Sequence, residues 1–121
     1  MTMKKHCAAL LASTVLTLAS TLPAMAQSTW LAHPGSNNFF DAGNWSSGVP
    51  GAGNTAYFDV SDTTAITLNG GSFYAGPWVF NTGASDYTIT KTSGVLSVVG
   101  AGIVINGGSL TLVNTSSARV Q

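Results

Sequence analysis

The 121-residue chain carries 7% charged residues, no glutamate and no net charge, and Ser, Thr, Asn and Gly supply most of its polarity. A chain of this size forms at most one small domain, and a polar but uncharged, β-branched composition points to exposed β-surface instead of helices, whose wet faces carry Glu, Lys and Arg. No basic patch is present to neutralise phosphates, which excludes nucleic-acid binding, and the regularly spaced apolar runs argue against disorder.

Residues 1–26 have the three parts of a secretory signal: Lys4 and Lys5, an apolar core from Cys7 to Leu22, and Pro23 ahead of Ala24-Met25-Ala26. Cleavage is expected between Ala26 and Gln27. The core is shorter than the roughly 20 residues that span a bilayer, so no membrane insertion is expected of it. Cys7 leaves with the signal, and the remaining chain has no cysteine. Its stability must then come from packing and strand hydrogen bonds, or from being part of something larger. Lys91 and Arg119 remain against Asp41, Asp59, Asp62 and Asp86, which makes the mature chain mildly acidic.

Residues 27–62 read as an aromatic, Gly/Pro-rich N-terminal cap. Trp30, Phe39, Phe40 and Trp45 alternate with His33-Pro34-Gly35, Ser36-Asn37-Asn38 and the Gly48–Gly53 turns. Pro and Gly at this density break the backbone into loops, and large rings supply the burial that holds loops down. A competing reading makes Trp30, Trp45, Tyr74 and Trp78 stacking rings for a glycan.

Residues 63–121 read as β-strand repeats. Thr55–Val60, the last strand-like part of the cap, and Ala65–Leu68 both alternate, and Asn69-Gly70-Gly71 then turns the chain. Runs follow at Trp78–Asn81, Tyr87–Thr90, Val95–Val99, Ile103–Asn106 and Leu110–Asn114. Asn81-Thr82-Gly83 recurs as Asn106-Gly107-Gly108, and Val79-Phe80 matches Val104-Ile105 in front of it. This spacing predicts an all-β fold, a right-handed parallel β-solenoid with about three short strands per rung. An antiparallel β-sandwich is the alternative. Alternation nominates Ile66, Leu68, Val79, Ile89, Leu96, Val98, Ile103, Ile105, Leu110 and Leu112 for the interior. Asn69, Asn81, Asn106 and Asn114 close strands and could form ladders between rungs.

Groups capable of chemistry are few. His33 is the one histidine after the signal and reads as a loop residue. No nucleophile, base and orienting acid occur together, and no metal or cofactor is expected. Asp41, Asp59 and Asp62 would bind calcium only by converging. Asn44-Trp45-Ser46 and Asn114-Thr115-Ser116 match the glycosylation sequon.

Thr29-Trp30, Asn44-Trp45, Gly48-Val49-Pro50 and Gly53-Asn54-Thr55-Ala56-Tyr57-Phe58-Asp59 resemble the opening of bacterial autotransporter-like passenger proteins with β-strand repeats, and Ala65 to Asn114 is similar to their first rungs. On that resemblance Trp30, Asn44, Trp45, Pro50, Phe58 and Asp59 are the cap motif. It implies a secreted, cell-surface segment with a structural or adhesive role and no enzymatic activity. Its partners would be a host or neighbouring cell surface or a polysaccharide, and a C-terminal β-barrel would anchor the full-length form in the outer membrane. The chain has no room for that barrel, so the expectation is an N-terminal fragment or truncated product. A small secreted carbohydrate-binding module is the alternative, and a polysaccharide lyase is disfavoured because no acid and base cluster is present.

Overall fold

The computed structural model describes residues 27–116. The expected signal at 1–26 and the C-terminal residues 117–121 lie outside them. Nine short strands follow one another: β1 (Gln27–Thr29), β2 (Thr55–Phe58), β3 (Ala65–Leu68), β4 (Phe73–Ala75), β5 (Trp78–Phe80), β6 (Asp86–Lys91), β7 (Leu96–Val98), β8 (Ile103–Ile105) and β9 (Ser109–Asn114). The described residues contain no α-helix, only a 3₁₀ turn at Ala42–Asn44.

Strands adjacent in sequence do not pair with one another, except that β1 meets β2. From β2 onward the chain visits three sheets in turn, building the orders β1-β2-β5-β8, β3-β6-β9 and β4-β7. All of these pairs are parallel. The antiparallel sandwich is therefore not what the chain forms, because each short connection passes into the next sheet instead of returning beside the strand it left. Register pairs fall close to one repeat apart: Ala56 with Trp78, Ala65 with Thr88, Phe73 with Leu96 and Asp86 with Ser109. Val79 meets Val104 and Phe80 meets Ile105, the match that the two Asn-initiated turns predict.

Stacking in register converts strand alternation into columns that point inward. Phe58 lies on Phe80 with centroids 4.5 Å apart and planes 8° from parallel. Ile66 and Ile89 are register partners and both buried. Small Ala56 stands beside Trp78 in the column, so a large ring and a methyl share the space that two large rings would overfill. Leu68 and Leu96 complete the buried aliphatic set.

The interior assignment needs two corrections. Val79 points outward and is half-buried, while Trp78 and Phe80 on either side of it are buried. The larger apolar area of two aromatic rings fixes the phase of β5 against a single valine. Val98, Ile103, Leu110 and Leu112 lie on the inward face yet are only partly buried, and Ile105 is 49% exposed. They sit on β7, β8 and β9, the last strands of their sheets among the described residues, where no further described strand covers them.

Candidate functional site

The most constructed region is the N-terminal aromatic cluster, and its organiser is Asn44. Its side chain is 1% exposed and fully engaged. Oδ1 accepts from the amides of Gly35 and Ser36, at 3.0 and 3.2 Å, and Nδ2 donates to Ser36 Oγ and the Asn38 carbonyl, both at 2.9 Å. One amide group thereby gathers the loop 35–38, which supplies few backbone pairs of its own. Asp41 starts the 3₁₀ turn by accepting from the Gly43 amide at 3.1 Å, and the turn delivers Asn44 and Trp45 inward.

Trp45 meets Phe39 edge-on at 4.9 Å, Trp30 at 5.2 Å and Phe58 at 5.7 Å. Its indole N–H donates to the Phe39 carbonyl at 2.7 Å, and that of Trp30 donates to the Thr63 carbonyl at 2.9 Å. Both indoles can thus be buried without an unpaired donor. Segment 44–46 also runs antiparallel along β1: Leu31 donates to the Asn44 carbonyl and Ser46 to that of Thr29. On the next sheet, Phe39 donates to the Thr67 carbonyl and Thr67 to that of Asn37. The outer edges of β1 and β3 are therefore occupied by the chain's own loops, which protects them from foreign strands.

Three rings of the glycan-stacking set pack into the core cluster. Trp30, Trp45 and Trp78 are buried at 1, 4 and 1% exposure, so their ring faces are covered by protein, and only Tyr74, 62% exposed, presents a ring to solvent. Of the cap motif, Trp30, Asn44, Trp45 and Phe58 come together in this cluster, Pro50 is buried, and Asp59 instead accepts from Asn81 Nδ2 at 2.9 Å across one repeat. Asn44 is also closed to glycosylation, because the nitrogen a sugar would need is buried and committed. The described residues contain no enclosed pocket and no group of three potential metal ligands. Asp41 serves its turn, Asp59 binds Asn81, and Asp62 accepts from His33 Nδ1 at 2.7 Å. The hydrogen bond from His33 holds the Asp62 carboxyl below its usual pKa, so His33 is paired in an exposed loop-to-loop contact.

Two buried ionisable groups escaped sequence reasoning. Lys91 ends β6 on its inward face at 2% exposure, and its ammonium donates to the carbonyls of Gly70 and Gly71 at 3.0 and 2.8 Å. Burial lowers its pKa. Tyr87 donates from its hydroxyl to the Asp59 carbonyl at 2.5 Å, and burial pushes its pKa up to about 12. Strand alternation could have placed both inward, since they share parity with Ile89.

No protein-family model matches the chain, and neither a curated protein nor a solved structure shows significant similarity to it.

Proposed function

We propose that the described residues form the N-terminal part of a right-handed parallel β-solenoid that acts as a non-enzymatic structural or adhesive segment, exported and displayed at a bacterial surface as in an autotransporter-like passenger. The observation that carries this reading is the register: three parallel sheets visited in turn, with partners one repeat apart. Segment 44–46 over β1 is the cap that starts such a stack, and the export signal supplies the address. A surface made of short polar strands, with no pocket among the described residues, suits contact over an area better than capture of a small molecule. The carbohydrate-module alternative retains Tyr74 as its one exposed ring.

The test is to produce the full chain in a Gram-negative host and follow it by mass and by protease treatment of intact cells. A mature N-terminus at Gln27 and cleavage of the segment outside the cell are expected. A chain that keeps residues 1–26 and stays protected in the cytoplasm would refute the display reading. For the adhesive role, a mature chain that leaves cell-to-cell aggregation unchanged would leave scaffolding alone.

A further inference from the structure

Asn-Gly occurs twice in the chain, at Asn69-Gly70 and Asn106-Gly107, and both asparagines are exposed where a strand runs into a corner. The dipeptide carries a chemistry of its own. With no Cβ on the following residue, that residue's backbone nitrogen can reach the asparagine side chain and attack Cγ. The new N–Cγ bond closes a five-membered succinimide, the side-chain nitrogen leaves as ammonia, and solvent water then opens the ring at either carbonyl. The products are aspartate and isoaspartate, and no oxidant or reductant takes part.

Closing that ring requires the peptide between the two residues to turn, and the two corners differ in what opposes this. Asn69 makes no hydrogen bond among the described residues, through backbone or side chain, and neither does the Gly70 amide. Nothing lies within 4 Å of the place a Gly70 Cβ would occupy, and its φ is +97°. Lys91 Nζ and Ser93 Oγ donate to the Gly70 carbonyl, which lies beyond its Cα, so they hold the chain after the reacting peptide and not the peptide itself. At the other corner the Asn106 amide donates to the Phe80 carbonyl at 2.8 Å. Gly107 is wedged on the corner one repeat earlier, where a Cβ would stand 2.6 Å from both the Asn81 carbonyl oxygen and the Gly83 nitrogen. Gly108 is seated as tightly, with a Cβ position 2.3 Å from the Ser85 carbonyl oxygen. The 106–107 peptide turns only if this corner first lifts off the backbone it rests on, which is a local opening.

We propose that Asn69 is a site of spontaneous deamidation in the folded chain and that Asn106, in the same dipeptide, is protected by its corner. The new negative charge arrives between β3 and β4, directly before the two residues whose carbonyls hold the Lys91 ammonium. Isoaspartate also adds a carbon to the main chain there. This inference stands on the geometry of two corners and does not depend on where the chain is displayed.

The test incubates the full chain in heavy-oxygen water at mildly alkaline pH. Each asparagine that reacts gains one heavy oxygen, and peptide mapping by mass reads the two sites separately. The same chain unfolded in urea gives the intrinsic reactivity of each dipeptide, and there the two sites should react at similar rates. In the folded chain Asn69 is expected to react about tenfold faster than Asn106, because only the second site must wait for a local opening. Equal rates at the two sites in the folded chain, a faster Asn106, or reaction at Asn69 only after urea is added would overturn the proposal.

Discussion

Asn44 uses all of its hydrogen-bonding capacity on one loop, which makes it the residue whose loss is easiest to forecast. Asn44→Ala removes the partner of two amides and a carbonyl in a partly buried loop, and should cost about 1–3 kcal/mol in urea denaturation. Asn44→Asp should not restore that loss, because it keeps the acceptor but turns a second oxygen toward the Asn38 carbonyl. Tyr87 sets the alkaline limit. Its pKa rises to about 12 in the folded chain against 10.0 for a free phenol, so the folded state holds the proton longer than the unfolded one. Its contribution is fully present below pH 10 and is lost as pH climbs through 12. Stability measured across that window should fall, and Tyr87→Phe should flatten the part of the fall that Tyr87 causes. Neither role was legible beforehand. Asn-Trp marked an important place, but the atoms Asn44 binds lie 6 to 9 residues upstream, and the Tyr87 partner lies 28 residues away.

At the scale of elements, β3 was read residue for residue and β5 to β9 within a residue or so of their bounds, since Gly and Asn turns frame alternating apolar runs. β4 was missed because Phe73-Tyr74-Ala75 is brief and sits between Gly-Ser and Gly-Pro turns. Only projection of Leu96–Val98 back by one repeat would have found it. The corners that bring strands into register depend on close backbone approach, as at Gly94. Its φ is +71°, and a Cβ there would stand 2.4 Å from the Gly71 carbonyl carbon and 2.5 Å from the Ser72 nitrogen. Gly83 has a similar φ, +83°, but open space around it. Gly83→Ala should therefore cost only the left-handed penalty, about 1 kcal/mol. Gly94→Ala adds displacement of a stacked corner and should cost about 3 kcal/mol. Equal thermal shifts for the two variants would show that the corners do not bear on one another.

For the whole molecule, the cyclic visit to three sheets sets how far apart in sequence contacting residues lie. Each strand meets a partner about one repeat earlier, such as Tyr74 with Ser97 or Thr90 with Val113. That separation stays fixed however many repeats are stacked. In most β proteins a longer chain means longer loops to close and slower folding. Here the entropic toll for each added strand is constant, so the chain can be laid down in its order of emergence. Export through a narrow opening, which delivers residues one after another, would then be no obstacle to completing the fold.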